Sequence, residues 1–190
     1  MHSFEARLNE ILPKLTSSEL LRNIGLGNEI GFYIFDYPPE RELQMREFVS
    51  FICDQLERKY AQIRFSHINL FDLIIAYLQE RNLLQRVLKV NRDKGDQAAL
   101  NALKSPLDPP KIAKFLVQQA DPDNQDLILV SGVGSAFPML RSHNLLQNLH
   151  PLMGSTPLVM FYPGVYSGQD LRLFGKLTQN HYYRAFRLVP

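Results

Sequence analysis

The sequence predicts an α/β domain in three layers, with a mostly parallel, five-stranded sheet covered by helices on both faces. Five short segments are rich in β-branched and aromatic residues, as strands are. Two of them, 126–131 and 157–162, are nearly continuous apolar runs, which is typical of parallel strands buried on both faces. Helical patterns separate the segments, and such crossovers favour parallel pairing. A chain of 190 residues fits one domain, so we expect residues 1–190 to form a single unit.

The predicted strands are spread along the chain. They are IGFYIFD (30–36), IRFSHI (63–68), DLILVS (126–131), PLVMFY (157–162) and YRAFRLV (183–189). The third and fourth are the most apolar, so we expect them at the centre of the sheet.

Helical patterns follow the first two strands. In 40–59, apolar residues recur at three- and four-residue steps. Pro38 and Pro39 precede this helix, where a missing amide does little harm. A second helix, about 69–81, is predicted to begin with Asn69 as its N-cap.

The interval 82–125 contains no convincing strand and is long for a connection, so it is predicted to be a helical insertion at one edge of the sheet. It has three short helical patterns, at 82–92, 95–104 and 109–120. A docking surface and a structural cover are both open interpretations of this insertion.

Two more helices are expected in the last third of the chain. One runs from Pro138 to Leu149, between the third and fourth strands. The other, 168–177, is predicted from an apolar stripe of Leu171, Phe174 and Leu177.

Charge and cysteine content exclude several classes of protein. The chain has 21 Lys and Arg against 19 Asp and Glu, and this net charge of +2 gives no indication of nucleic-acid or membrane binding. Cys53 is the only cysteine, which excludes an intrachain disulfide and favours the cytoplasm. No window approaches the roughly 18 apolar residues that span a bilayer, and the first residues lack a signal-peptide pattern. We therefore expect neither secretion nor membrane insertion.

The stretch LILVSGVGSAFP (127–138) joins a buried strand to a helix through a glycine loop. Backbone amides at such a junction can bind phosphate, which makes Gly132, Gly134 and Ser135 candidate nucleotide-binding residues. However, the loop lacks the lysine of a P-loop, and Phe137 stands where a dinucleotide fingerprint needs a small residue. The expected fold is therefore Rossmann-like or P-loop-like without a Walker A motif. A turn in which the glycines allow unusual backbone angles and close packing is favoured over phosphate binding.

Isolated polar residues give no catalytic or metal-binding pattern. Asp36 and Glu40 fit either a pair of metal-binding carboxylates or a cap and turn before the next helix, and the second use is favoured. His67 lies within a strand, which favours a hydrogen-bonded core residue over a general base. His143 and His150 are seven residues apart but lack further zinc ligands. We predict no catalytic residue, no metal and no cofactor.

Aromatic-rich segments near the last two strands are candidates for protein binding. Tyrosine and arginine are enriched at interface hot spots, so some of Tyr166, Arg172, His181 and Tyr182 are predicted to lie on a surface that faces a partner. From position 127 onward the chain carries five cations and one acid, which fits either ordinary surface or an acidic partner.

Four long and unusual stretches carry a family resemblance. They are GLGNEIGFYIFDYPPE (25–40), HINLFDL (67–73), GVGSAFPMLRSHNLLQNLHPLMGSTPLVMFYPG (132–164) and the last segment, LRLFGKL (171–177) with YYRAFRLVP (182–190). They resemble the BrxB family of the bacterial BREX anti-phage defence systems. Because they cover nearly the whole chain, they are far more specific than a lone GxG motif.

The resemblance implies a partner protein rather than a catalyst. BrxB proteins work beside a DNA methyltransferase (PglX), a phosphatase-like protein (PglZ) and a large ATPase (BrxC), both to mark host DNA and to exclude phage. The family has no established enzymatic motif, so the resemblance implies no catalytic residue here. The PglZ-type protein is the expected partner, with the PglX-type and BrxC-type proteins as further candidates.

Two other functions remain as alternatives. One is a degenerate nucleotide-binding or NTPase-like domain, with Arg141 or Arg172 as a charge clamp beside the glycine loop. The other is direct DNA binding.

Overall fold

The computed structural model describes residues 3–24, 31–179 and 185–190. Within these residues the strands are β1 (Phe32–Tyr37), β2 (Phe65–Asn69), β3 (Leu127–Ser131), β4 (Leu158–Tyr166), β5 (Leu171–Leu173), β6 (Leu177–Gln179) and β7 (Phe186–Arg187). The α-helices are α1 (Phe4–Leu15), α2 (Ser18–Leu21), α3 (Glu42–Lys59), α4 (Leu70–Glu80), α5 (Leu84–Lys94), α6 (Asp96–Leu103), α7 (Pro109–Ala120), α8 (Val133–Ala136) and α9 (Ser142–Leu149).

Five strands pair in parallel, in the order β2-β3-β4-β1-β7. The central pair is β1 with β4, in a register that runs from Phe32 opposite Leu158 to Tyr37 opposite Pro163. Strands β5 and β6 extend this sheet antiparallel from the end of β4. The predicted α/β class and mostly parallel sheet are therefore confirmed.

Helices cover both faces of the sheet and form two apolar cores. On one face α4, α7 and α9 pack on β1, β3 and β4, and the rings of Tyr77 and Phe115 meet edge to face at 5.2 Å. On the other face α1 and α3 pack on Phe35, Leu129 and Phe161. Each large apolar side chain buried in this way contributes roughly 1.5–3 kcal/mol relative to exposure, so both helical layers are held by burial. The predicted three-layer arrangement is present.

The connection from β2 to β3 contains the three short helices predicted for 82–125, now α5, α6 and α7 after α4. They differ in how deeply they pack. Helix α7 buries Ile112, Phe115 and Leu116, whereas α5 has no buried residue and leaves Leu88 48% exposed. Helix α5 therefore lies on the outside of the molecule.

The helix predicted for 168–177 is wrong, because this segment contains β5, a turn and the start of β6. Leu171 and Leu173 are buried while Arg172 between them is exposed, which is the period of a strand rather than of a helix. Phe174 and Gly175 have φ of 55° and 69°, and this left-handed backbone forms the turn. Helix α9 also begins at Ser142 rather than at Pro138.

The last predicted strand is only partly within the described residues. Positions 186 and 187 pair with Tyr33 and Ile34 as β7, and 183 and 184 lie outside the described residues.

Helix α1 was not predicted, and a buried carboxylate fastens it to the sheet. Arg7 of α1 donates from Nη2 to Oδ1 of Asp36 at 2.7 Å and from Nη1 to the Asp36 carbonyl at 2.9 Å. The same guanidinium donates to the carbonyl of Val189 at 3.1 Å and lies 4.7 Å from the centroid of the Phe35 ring. The side chains are only 16% and 11% exposed for Arg7 and Asp36, so this ion pair is shielded from water.

The second oxygen of Asp36 serves the end of β4. It accepts from the backbone amide of Tyr166 at 2.9 Å, and Nη2 of Arg187 lies 3.8 Å away. Asp36 was expected to cap or turn the chain, but the turn of 3₁₀ helix at Pro39–Arg41 has no side-chain cap. Its observed role is to join β1, β4 and α1.

Replacing either member of the Arg7–Asp36 pair should destabilise the protein strongly, because the remaining charge would be buried without a partner. We expect Asp36→Asn and Arg7→Met each to lower the free energy of unfolding by about 3 kcal/mol, and the double variant to lose less than the sum. Urea unfolding of the four proteins measures this.

The matched control is Glu5→Gln, also on α1. Glu5 lies 3.8 Å from Arg41, and both side chains are more than half exposed. Glu5→Gln should lower the free energy of unfolding by less than about 1 kcal/mol. Additive losses in the cycle, or losses as small as that of Glu5→Gln, would contradict the assigned role of the buried pair.

Candidate functional site

Ligands of open parallel sheets bind at the carboxyl ends of the strands, so this edge is the first place to look for a site. Here it contains Asn69 at the end of β2, Ser131 at the end of β3, and the glycine loop that follows Ser131. The hairpin formed by β4 and β5 (158–173) rises beside them, and we call it the closing hairpin.

Gly132 is required by both its backbone angle and its neighbour. Its φ of 72° is left-handed, and a Cβ atom there would lie 2.2 Å from Oδ1 of Asn69. That oxygen is occupied as the N-cap of α4, since it accepts from the amides of Phe71 at 3.0 Å and Asp72 at 3.4 Å. The predicted cap at Asn69 is thus confirmed. Position 132, directly after β3, lies so close to Asn69 that it has room only for glycine.

Gly134 is the place where the closing hairpin packs on the loop. A Cβ atom at Gly134 would lie 3.2 Å from Cε1 of Phe174 and 3.2 Å from Cγ of Pro163. Phe174 also meets the ring of Phe137 edge to face at 6.1 Å. Gly132 thus has the unusual backbone angle that was expected, and both glycines have the expected close packing. Phosphate binding at Gly132, Gly134 and Ser135 stays a prediction.

Ser135 has a cationic neighbour that sequence analysis missed. Nη2 of Arg46, on α3, donates to Oγ of Ser135 at 2.9 Å, and its Nε donates to Glu42 at 2.8 Å. Glu42 in turn accepts from the hydroxyl of Tyr37 at 2.6 Å. Burial and the Glu42 carboxylate raise the pKa of Tyr37, so this hydroxyl remains a donor. Arg46 and Ser135 are 89 positions apart, and no local pattern could have joined them.

His67 and Ser131 form a pair on neighbouring strands. Nε2 of His67 lies 2.8 Å from Oγ of Ser131. The predicted hydrogen bond is therefore present, but His67 is exposed on β2 at the edge of the sheet and not in the core. Although the residue reaches solvent, burial of its ring lowers its pKa from the ordinary 6.5, and the charge of Asp72 opposes this to a smaller extent. The neutral imidazole is the form that bonds Ser131 at pH 7.

The four candidate partner-binding residues are placed differently. Tyr166 is fully buried, and its hydroxyl donates to the carbonyl of Ala185 at 2.6 Å, so it belongs to the core. Arg172 is exposed on β5, directly opposite Val165, which is 47% exposed. His181 and Tyr182 lie outside the described residues. A partner-facing surface at Arg172 stays a prediction.

Metal and membrane sites were also sought in the part of the chain that the structure describes. There, no three His, Cys, Asp or Glu side chains converge as metal ligands would. His143 is buried on α9 while His150, which follows it, is exposed. The described helices include none with both the length and the apolar character needed to cross a bilayer.

Together these features define a three-layer α/β domain whose glycine loop is packed against its own hairpin. Comparison with known proteins identifies the family. The model of the family described as "BREX protein BrxB" matches residues 66–188. A protein of that name from Escherichia coli O9:H4 (strain HS) is 42% identical over 98% of this chain and 92% of its own length. Another, from Bacillus cereus (strain H3081.97), is 37% identical over 100% of this chain and 99% of its own length.

The chain therefore belongs to the BrxB family, and the resemblance read from the sequence is confirmed. No solved structure gives a significant match to it.

Alanine at the two loop glycines should destabilise the protein by different mechanisms. Gly132→Ala places a side chain on left-handed backbone, where it collides with Asn69 and disturbs the cap that Asn69 makes on α4. We expect it to lower the free energy of unfolding, measured in urea, by about 2–3 kcal/mol. Gly134→Ala needs only a small shift of Phe174 and Pro163, so it should lower the free energy of unfolding by about 1 kcal/mol.

Gly154→Ala is the matched control for Gly132→Ala, since its φ is 59° but no atom lies within 4 Å of the added Cβ. It should cost about 1 kcal/mol from strain alone. Equal losses at 132 and 154 would show that the contact with Asn69 is unimportant.

Protonation of His67 should destabilise the folded protein. Its folded pKa lies below the 6.5 of the unfolded chain, so the stability it contributes is present above pH 6.5 and is lost as pH falls through the folded pKa. We expect an NMR titration midpoint below 6.5, retained in Ser131→Ala because burial is the main cause. A midpoint at or above 6.5 in both proteins would contradict this.

Proposed function

We propose that this protein is a non-catalytic assembly subunit of a BREX phage-defence complex, and that it binds other BREX proteins, first of all the PglZ-type protein. Its work in host DNA methylation and phage exclusion would then be to hold neighbours in place. The cytoplasm, where those proteins meet DNA, is the proposed location.

Family membership supports the first part of the proposal. BrxB proteins are BREX components, and the matched relatives are covered almost completely by this chain. Membership supports a role in the BREX system, and with it in antiviral defence and phage resistance. Other BREX proteins are accordingly its partners, and their individual identities belong to the proposal.

The packing of side chains at the carboxyl ends of the strands supports the non-catalytic role. At the position where a related fold would admit phosphate, Phe174 and Pro163 pack on Gly134. Of the loop residues, Ser135 is engaged by Arg46, which is itself paired with Glu42. These contacts use the loop for packing.

One observation carries the binding role: the closing hairpin, held at its base by Asp36, presents Val165 and Arg172 side by side to solvent. Arginine is enriched at interface hot spots, and Val165 gives Arg172 an exposed apolar neighbour on a rigid support. Because the hairpin is ordered by the core beneath it, binding there needs little reorganisation.

Co-purification with the PglZ-type, PglX-type and BrxC-type proteins of the same system tests the proposal. We expect a complex with at least the PglZ-type protein, and we expect Val165→Asp with Arg172→Glu to weaken it at least tenfold, which is about 1.4 kcal/mol. Leu43→Asp is the control, because Leu43 is 73% exposed on a different element, α3.

Two results would count against this function. One is a chain that enters no complex with any of the three proteins at low salt. The other is turnover of a nucleotide by the purified protein. Thermal shifts with ATP, GTP and dinucleotides test binding first, since a ligand at 100 times its Kd stabilises by about 2.7 kcal/mol, and release of phosphate then measures turnover.

A further inference from the structure

A second surface lies between α5 and α6, on the face opposite α3. It is a groove of about 490 Å³ with walls of mostly apolar side chains, among them Val87, Leu88, Leu100 and Leu103, and it ends at Pro138 and Met139. We call it the insertion groove. This volume is within the range of binding clefts.

The groove is continuous with the closing hairpin. Phe137, which precedes Pro138 and Met139, packs on Phe174, the residue that directly follows β5 of the hairpin. One loop, 137–139, therefore touches the hairpin on one side and closes the groove on the other. A partner seated on the hairpin would find the groove next to it.

The insertion that forms the groove has a net positive charge, and Asp96 is the charged residue among those that line the groove itself. Between positions 81 and 114 the chain has eight Lys and Arg, all exposed, against three Asp, whereas the rest of the chain has 13 Lys and Arg against 16 Asp and Glu. On α5, Arg92 stands four positions after Leu88, and Lys104 stands four positions after Leu100 of α6, so both border the apolar walls. Of the acids, Asp96 is engaged by the side-chain amide of Asn91 at 2.8 Å. The surroundings therefore favour an acidic ligand.

The walls also limit the conformation of that ligand. Both long walls are helices, which offer no free backbone groups for pairing with an extended strand. A peptide in this groove must satisfy its own backbone hydrogen bonds, and an amphipathic helix does so while burying one apolar face. Nucleic acid is disfavoured, because the apolar walls around Leu88 offer nothing to a phosphate backbone.

We propose that the insertion groove binds an acidic amphipathic helix of a partner protein. Apolar side chains of that helix fill the space beside Leu88 and Leu100, and its flanking carboxylates meet Arg92 and Lys104. This inference rests on the proposed function, since the partner is taken to be the BREX protein that the chain binds.

The test uses the full-length protein and the BREX protein that co-purifies with it. Leu88→Glu should weaken binding at least tenfold, because it places a charge in the apolar wall and repels the acidic helix. Arg92→Glu should weaken it several-fold and reduce its dependence on salt. Both side chains are exposed, so thermal unfolding should change little. Leu43→Glu and Arg58→Glu, exposed on α3, are the matched controls and should bind as the wild type does.

Carbodiimide cross-linking then tests the chemistry of the partner, since it joins lysine amines to carboxylates in direct contact. Lys104 should cross-link to Asp or Glu of a helical segment, as read by mass spectrometry.

The outcomes separate the two proposals. If the wild type binds a BREX protein and both groove variants bind it equally well, the groove inference is wrong and the proposed function stands. If the wild type binds none of them, both fail. Loss of a dimer in Leu88→Glu, seen by light scattering, would instead assign the groove to a second copy of this chain. Loss of duplex DNA binding in Arg92→Glu, with protein binding intact, would assign it to nucleic acid.

Discussion

The buried carboxylate of Asp36 is the constraint on which the rest of the structure depends. Strand β4 continues three residues beyond the point where β1 stops pairing with it, so the amide of Tyr166 has lost the neighbouring strand. The side chain of Asp36 accepts from that amide in place of a strand, and its other oxygen accepts from Arg7. A buried charge is tolerated only when it is paired and hydrogen-bonded, and here both conditions are met by groups from distant parts of the chain. One carboxylate thus fixes where β4 leaves the sheet and where α1 covers it.

The point at which β4 leaves the sheet explains why the closing hairpin packs on the glycine loop. Because β4 is held beyond the sheet, β5 can pair with it and carry Phe174 back over Gly134. The glycines then serve two close approaches, one to Asn69 and one to the hairpin, so their small size is explained without a ligand. Beside the glycine loop, Pro163 and Phe174 occupy part of the space that an α/β fold offers at its strand ends. On the outer surface, Val165, Arg172 and the insertion groove are exposed.

The structural features that could be predicted from the sequence are those that depend on local chemistry or on the burial of a whole strand. The apolar runs at 127–131 and 158–162 gave the central strands, and Asn69 gave the start of α4, because a cap acts within three residues. The helix predicted for 168–177 was wrong because Leu171, Phe174 and Leu177 fit a helical stripe as well as they fit strands. Only the pairing with β4 decides between the two structures. Arg7 and Arg46 meet their partners across 29 and 89 positions, where no spacing rule applies. The excess of cations between 81 and 114 was legible in the sequence, but its meaning depends on the groove that the helices enclose.

The exposed position of α5 is itself an argument for a binding role of the insertion. Ordering a residue costs roughly 1–2 kcal/mol of backbone entropy, which a helix in a domain normally offsets by burying an apolar face. Helix α7 does so with Ile112, Phe115 and Leu116. Helix α5 has no buried residue, with Leu83, Leu84 and Val87 only partly covered, and it shares a half-open apolar wall with α6. A structural cover would not need that wall, whereas a docking surface does, because the burial that α5 lacks in the free protein is then completed by its partner.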